Sequence, residues 1–318
     1  HSNTNFERAN FQTKIAGFQK AIDLFDRIGV PWGRGAILLV RSAVQDVIYD
    51  YKEGERDVQE GLKYLVSPMW LGYSYEFLGS YRMHFGDIVN AEKYFKDSIQ
   101  CFLQINHQQG LVFAYNSLST VFLKRKDFTQ AQLYLQNACE IARRIGHRQG
   151  LRNSLLRLAI LSEAERDYES AQHYCMEHLK VTERQTEETT RTMCCLGRVT
   201  LSQHNEKMAL CVFIDALKLS VKIIDEATTT ETIAGIANYF IIIGNIPTAL
   251  QLLYFVQSHP ACAHDTNEYI SNLLTSIGKN VSLKEVSSTQ QEIRSWKLDK
   301  VVSMLLDELT ALKEQNGW

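Results

Sequence analysis

Two seven-residue stretches lie forty residues apart in this chain and share five of their seven positions: Ile105-Asn106-His107-Gln108-Gln109-Gly110-Leu111 and Ile145-Gly146-His147-Arg148-Gln149-Gly150-Leu151. The same spacing separates three aspartates, three alanines and three tyrosines: Asp87, Asp127 and Asp167; Ala91, Ala131 and Ala171; Tyr94, Tyr134 and Tyr174. Agreement of several residue types at one period is the signature of a repeat array. We therefore expect a chain of consecutive, structurally equivalent units.

Each forty-residue unit has the pattern of two helices joined by a turn. Apolar residues recur at helical spacing on both sides of turns such as Gly86-Asp87 and Lys126-Asp127, whose aspartate can cap the second helix. Small residues such as Gly79 and Ser119 come twelve positions before a repeated alanine and would let paired helices approach closely. The predicted pairs are Trp70–Phe85 with Val89–Ile105, Leu111–Arg125 with Phe128–Ile145, Leu151–Glu165 with Tyr168–Arg184, Thr190–Gln203 with Lys207–Asp225, and Glu231–Ile243 with Pro247–Ser258.

The expected architecture is therefore all-α: a right-handed α-solenoid of helical hairpins, each about forty residues long, with a C-terminal helical cap. We expect residues 1–34 to form the helix of an incomplete repeat, residues 35–258 the array, and residues 259–318 the capping helices. Near the start of the array we place helices at Gly35–Tyr51 and Asp57–Leu65, joined near Glu53-Gly54-Glu55. In the cap we place helices at Asp265–Ile277 and Thr289–Lys313. The chain begins His1-Ser2 without a methionine, and we interpret it as a piece of a longer protein.

Composition limits the classes of function. The 318 residues carry a net charge of −2, which argues against direct nucleic-acid binding because such surfaces are usually basic. Seven irregularly spaced cysteines do not suggest a disulfide framework, so a reducing, cytoplasmic location is expected. Residues 232–264 contain no charged side chain, but Asn238 and Pro247 interrupt the apolar run. We interpret this segment as a buried helical hairpin rather than a membrane span. Its apolar character leaves self-association through the last repeat possible.

The two-helix unit resembles the tetratricopeptide repeat, because a small residue, a Gly-Asp or Lys-Asp turn and an alanine four residues after that aspartate recur in order. The junction Ile145-Gly146-His147-Arg148-Gln149-Gly150-Leu151 is similar to the junctions of long bacterial repeats. Such repeats form the sensor arrays of STAND-type signal-transduction ATPases and large transcription activators. The resemblance implies that this chain senses a ligand or protein and thereby controls an attached ATPase and effector. The ATPase itself is absent, since the sequence contains no G-x-x-x-x-G-K-[ST] loop.

Catalytic and cofactor motifs are missing from the sequence. His173 and Glu177 have the i, i+4 spacing that can share a metal ion, but no second ligand pair is visible, so we interpret them as helix surface. For the neighbours Cys194 and Cys195 we expect that one packs in the core and the other faces the groove. We predict a chain that is not an enzyme and that holds no cofactor and no metal ion.

Binding is expected on the concave surface, which the first helix of each pair would line. Counting back from the repeated alanines gives a set of positions that we call the groove row: Tyr73, Glu76, Ser80, Met83, His84, Phe113, Asn116, Thr120, Lys124, Asn153, Leu156, Ile160, Glu163, Arg191, Cys194, Arg198, Ser202 and Asn238. Its asparagines could bond a peptide backbone, and Arg191 with Arg198 could hold a carboxylate or phosphate. A protein or peptide is the expected partner, with a small ligand as another trigger. A free-standing peptide-pheromone receptor and a passive assembly scaffold remain alternatives.

Overall fold

The computed structural model describes residues 2–47, 50–182, 185–278, 288, 289 and 291–315, and all regular secondary structure in these ranges is helical. Fifteen helices are long enough to number: α1 Ser2–Arg27, α2 Pro31–Val47, α3 Tyr51–Gly61, α4 Pro68–His84, α5 Ile88–Gln104, α6 Gln108–Lys124, α7 Phe128–Ile145, α8 Arg148–Ala164, α9 Tyr168–Val181, α10 Glu187–Ser202, α11 Glu206–Lys222, α12 Glu226–Ile242, α13 Ile246–Ser258, α14 His264–Ile277 and α15 Leu298–Gln315.

The predicted fold class, an all-α solenoid of tetratricopeptide-like hairpins, is confirmed. The chain divides into two compact units, His1–Ser154 and Leu155–Trp318. In the first unit, α2 packs on α3, α4 on α5, and α6 on α7. In the second unit, α9 packs on α10, α10 on α11, and α12 on α13. First helices also contact one another, because α4 touches α6 and α10 touches α12.

Local hydrogen bonds start the second helix of each pair, as the repeated aspartates predict. The carboxylates of Asp87, Asp127 and Asp167 each accept from the backbone N–H three residues later. Asn205 and Asn245 use their amide oxygens in the same way at α11 and α13. Each cap satisfies a backbone donor that the first turn of a helix leaves unpaired.

Histidine provides the corresponding cap at the repeated Ile-x-His-x-Gln-Gly-Leu junctions. The Nδ1 atom of His107 accepts from the backbone N–H of Gly110 at 2.9 Å, and Nδ1 of His147 accepts from that of Gly150 at 3.1 Å. The glycine of this motif also has a packing role. A Cβ atom at Gly110 would lie 2.6 Å from the ring of Phe102, whose side chain is fully buried. The motif therefore combines a helix cap with close helix packing.

The apolar hairpin of α12 and α13 lies in the core of the second unit. Phe240 and Leu253 are fully buried there, in one cluster with Ile270 of α14 and with Leu305 and Leu309 of α15. The C-terminal helices thus cover the hairpin within the chain. No helix among the described residues is long and apolar enough to span a membrane.

Helices α2, α6, α8, α10 and α12 begin three to five residues before their predicted starts, and at two further places the predicted course of the chain is wrong. The predicted joint at Glu53-Gly54-Glu55 is wrong, because α3 runs through it from Tyr51 to Gly61. Gly54 is a packing residue, since a Cβ atom there would lie 2.5 Å from the hydroxyl of Tyr81. The single helix predicted for Thr289–Lys313 is also wrong. The chain turns at residues 294–295, and α15 begins at Leu298; residue 290 and the end of the predicted Tyr168–Arg184 helix lie outside the described residues.

Candidate functional site

A cavity of about 650 Å³ opens in the second unit, with walls from α8, α10, α12 and α14. Six members of the groove row line it: Ile160, Glu163, Arg191, Arg198, Ser202 and Asn238. They come from α8, α10 and α12, the first helices of three successive pairs. The structure thus brings together side chains that lie far apart in the sequence.

A network of ion pairs forms the polar side of this cavity. Arg198 donates from Nε at 2.7 Å and from Nη2 at 2.9 Å to the two carboxylate oxygens of Glu163. Its third nitrogen, Nη1, donates to Glu231 at 3.2 Å. Arg191 lies 3.6 Å from Glu231 and 3.7 Å from Glu187. Two guanidinium groups and three carboxylates therefore form one connected cluster.

The pairing of Arg198 changes the expectation that it could hold an anion. Burial disfavours its charge, but the charge and hydrogen bonds of Glu163 outweigh burial and hold the pKa of Arg198 well above its ordinary value. All three guanidinium nitrogens already donate to carboxylates. Three of the five N–H donors of Arg198 are therefore engaged by Glu163 and Glu231, and a bidentate carboxylate or phosphate ligand on the Nε–Nη2 edge would have to displace Glu163.

The fourth wall is α14, which the sequence predicts only as part of the C-terminal cap and not as part of a site. Asp265, Glu268, Tyr269 and Asn272 all line the cavity. Their spacing of i, i+3, i+4 and i+7 places them on one face of the helix. This row of polar side chains along one face of α14 is visible in the sequence and could have predicted that the helix forms part of a site.

Tyr269 is the central residue of that wall. The guanidinium carbon of Arg198 lies 5.5 Å from its ring centroid, in cation–π geometry. Its hydroxyl oxygen is buried and makes no hydrogen bond of acceptable geometry, although the side chain of Asn238 approaches it. Burial raises the pKa of Tyr269, so the hydroxyl stays protonated. A buried hydroxyl without a partner is costly unless something supplies one.

Glu76 is the notable groove-row residue in the first unit. Its Oε1 accepts a hydrogen bond from Ser117 on α6, while Oε2 is buried without a partner. Burial raises the pKa of this carboxyl group to about 7. Nearby, Tyr73 packs edge-on against Phe102 and His107.

Three groove-row residues are buried and do not face open space. Asn116 uses its amide internally, donating to the carbonyl of Val112 and accepting from Ser154. Leu156 is only 9% exposed. Cys194 is fully buried with Sγ 3.0 Å from the hydroxyl of Thr232. The expectation that one of Cys194 and Cys195 faces the groove is wrong, because both pack between helices. Burial raises the pKa of the Cys194 thiol to about 12, which keeps it protonated.

The remaining groove-row residues are accessible to different degrees. Half-buried members are Ser80, Met83, Phe113, Thr120 and Asn153, and exposed members are His84 and Lys124. None of these residues lines the cavity of the second unit. His173 and Glu177 lie 3.8 Å apart on α9, and the described residues contain no group of three potential metal ligands.

No protein-family model and no curated protein sequence matches this chain. Solved structures do match its fold. A STAND protein with a tetratricopeptide repeat sensor from Pyrococcus horikoshii aligns with a TM-score of 0.64 and 15% identity over 96% of this chain and 50% of that one. The Rap conjugation gene regulator of plasmid pLS20, in complex with the Phr* peptide, gives 0.61 and 11% over 88% and 76%. The apo form of the quorum sensor NprR from B. thuringiensis gives 0.56 and 14% over 95% and 99%. At these identities the likeness establishes the tetratricopeptide-type fold.

Proposed function

We propose that this chain is a non-catalytic sensor region that recognises a peptide or protein and controls an attached ATPase or effector. The observation that carries the proposal is the cavity of the second unit. Side chains from three successive first helices line it, and α14 closes it with a further polar face. A site assembled from several repeats responds to small changes in the packing between them, which suits a sensor.

The polar groups of the cavity are suited to binding rather than to chemistry. Glu163, Glu231 and Arg198 are held in place by one another, so they present a fixed electrostatic pattern to a ligand. The sequence has no catalytic motif, and the Cys194 thiol near this network stays protonated. These features favour recognition without turnover.

The solved structures support the same class of function. One is described as a quorum sensor, one was solved with the Phr* peptide, and one is a STAND protein whose repeats are described as its sensor. A free-standing peptide receptor shares the fold and the peptide ligand with our proposal. A passive scaffold shares the fold but would not respond to its partner.

Adjacent exposed residues offer a matched test of the cavity. Ser202 lines it and Gln203 does not, and both side chains are exposed. A pool of random-sequence heptapeptides would be incubated with the chain, and retained peptides would be identified by mass spectrometry. We expect Ser202→Trp to abolish retention and Gln203→Trp to leave it unchanged. Retention that is equal in both variants would move the site elsewhere.

A second measurement separates a sensor from a scaffold. Small-angle X-ray scattering of the chain with and without a retained peptide should show a change in the radius of gyration for a sensor. An unchanged scattering curve at saturation would favour a scaffold. Turnover of a nucleotide or an ester by the purified chain would contradict the non-catalytic assignment.

A further inference from the structure

We infer that the cavity of the second unit recognises a cationic group, an ammonium or a guanidinium, on its ligand. The inference rests on the proposed function, because it assigns the chemistry of the group that enters the same cavity. It differs from the anion-binding role that the sequence suggests for Arg191 and Arg198.

The charges lining the cavity favour a cation. Five carboxylates face three guanidinium groups there: Glu163, Glu187, Glu231, Asp265 and Glu268 against Arg166, Arg191 and Arg198. In the ion-pair network, the two positive charges of Arg191 and Arg198 are paired with three carboxylates. It therefore keeps one negative charge in excess.

The wall formed by α14 adds unpaired negative charge. Within the described residues, neither Asp265 nor Glu268 has an ion-pair partner, and both are exposed residues that line the cavity. Arg166 offsets only one of these two charges. Clefts lined by an excess of one sign concentrate ligands of the opposite sign, and their low-dielectric walls strengthen the effect.

Tyr269 supplies the independent observation that a polar group is missing. The Tyr269 side chain lines the cavity, and its buried hydroxyl oxygen makes no hydrogen bond of standard geometry, although the Asn238 side chain approaches it. A neutral phenol oxygen has lone pairs that accept from an N–H group, and its ring already lies beside the guanidinium of Arg198. A ligand ammonium or guanidinium could donate to this oxygen and to the amide oxygen of Asn238 while it pairs with Glu268.

An anion would meet the opposite conditions. To take the bidentate edge of Arg198 it would have to break both hydrogen bonds of Glu163 and leave that carboxylate, which is 20% exposed, without its counter-ion. Removing one partner of a largely buried pair costs far more than an exposed contact returns. A cation needs no such rearrangement, because it adds to carboxylates that are unpaired or in excess.

Two sources could present this cation, a basic side chain of a peptide or a small polyamine. The probes are three heptapeptide pools that differ only at the central position, which holds arginine, citrulline or glutamate, and spermidine as a separate arm. Citrulline keeps the shape of arginine without its charge. Affinity would be measured by isothermal titration calorimetry at low and at physiological salt.

We expect the arginine pool to bind about tenfold more tightly than the citrulline pool, because a hydrogen bond to a charged group contributes about that much affinity. Asp265→Asn with Glu268→Gln should reduce that preference by about two- to fivefold per charge removed. Tyr269→Phe should reduce it without affecting the fold. The matched control is Glu169→Gln on α9, an exposed carboxylate outside the cavity, which should bind like the parent chain. Competition by spermidine assigns the site to a polyamine, and its absence assigns the site to a peptide.

The outcomes distinguish this inference from the proposed function. Equal affinity for the arginine and citrulline pools, with binding still lost in Ser202→Trp, overturns the cation inference and keeps the peptide site. Preference for the glutamate pool that disappears in Arg191→Gln also overturns it. If no pool and no spermidine binds, both the inference and the proposed function fail.

Discussion

Arg198 on α10 donates two hydrogen bonds, of 2.7 and 2.9 Å, to the two carboxylate oxygens of Glu163 on α8. The side chains are only 13% and 20% exposed. This bidentate contact joins two first helices that the sequence separates by a whole repeat. It fixes the polar side of the cavity and occupies the bidentate edge of Arg198, the edge that would otherwise bind an anionic ligand.

The Glu163–Arg198 contact should have a measurable effect on stability. We expect Glu163→Gln to lower the free energy of unfolding by about 3–5 kcal/mol, because it leaves a largely buried guanidinium without its main counter-ion. Urea unfolding followed by circular dichroism would measure the change. The control is Glu187→Gln, whose side chain is 61% exposed and which pairs with Arg191 at 3.7 Å. Exposed pairs contribute about 0–1 kcal/mol, so equal losses in both variants would contradict the structural role of Glu163.

Gly54 should not tolerate a methyl group. Its added Cβ atom would lie 2.5 Å from the Tyr81 hydroxyl, which is held by a 3.0 Å hydrogen bond to the carbonyl of Ser42. Overpacking of this kind costs about 1–3 kcal/mol, so Gly54→Ala should unfold at lower urea concentration. Gly17→Ala provides a control of opposite sign. That glycine lies in α1 with open space around it, and alanine should stabilise the helix by about 0.5–1 kcal/mol. Stabilisation by both changes would show that Tyr81 can move away.

The cap at His147 should make the free energy of unfolding fall at acidic pH. Burial lowers the pKa of His147 below its ordinary value, so the unfolded chain binds a proton more readily than the folded chain. The stabilising contribution is therefore fully present above about pH 6.5, the ordinary histidine value, and is lost as the pH falls through the lower folded pKa. Protonation also removes the Nδ1 lone pair that accepts from Gly150.

The test of this cap compares urea midpoints at pH 7.5 and pH 5.5. In His147→Asn, the asparagine can still cap the helix but cannot titrate. We expect the drop in midpoint between the two pH values to be smaller in this variant than in the parent chain. Identical drops would mean that the imidazole is not the group responsible.

Glu76 should give a pH dependence of the opposite direction. Burial raises the pKa of Glu76 to about 7, so the folded chain holds a proton that the unfolded chain has already lost above about pH 4.3. The contribution of the protonated form is complete below the unfolded pKa and is lost as the pH rises through 7. Urea midpoints at pH 5.5, 7 and 8.5 should therefore fall with pH more steeply in the parent chain than in Glu76→Gln. A parallel fall in the two chains would assign the dependence to other groups.

Self-association through the last repeat stays a prediction, and the residues that could mediate it are those of the repeat that remain exposed. Phe240 is covered within the chain, whereas Ile242 and Ile243 at the end of α12 keep 44% and 43% of their surface exposed. Sedimentation velocity over a hundredfold range of protein concentration should show a rising sedimentation coefficient, and Ile242→Lys with Ile243→Lys should remove the rise. A constant coefficient in the parent chain would reject the idea.

Much of the fold could be predicted because the interactions that build it are local. The cap from Asp127 to the N–H of residue 130 spans three positions, and an aspartate recurs at the same place in the neighbouring repeats, at Asp87 and Asp167. The spacing of apolar and small residues likewise determines which faces of a helix pack. Gly54 shows the limit of this reasoning. A glycine in the sequence can mark the end of a helix or can permit close packing inside one. At Gly54 only the short distance to Tyr81, which the tertiary structure reveals, identifies the packing role.

By itself the sequence determined the helical repeat, the helix starts and the first-helix positions that line the cavity at Ile160, Glu163 and Arg198. Only the tertiary structure decided how those positions are used. It paired Arg198 with Glu163 and Glu231, buried Asn116 and Cys194, and brought Tyr269 of α14 over the cavity. The physical reason is range: helices and caps arise from residues a few positions apart, whereas the charge and shape of a binding site depend on side chains that meet only when distant repeats pack together.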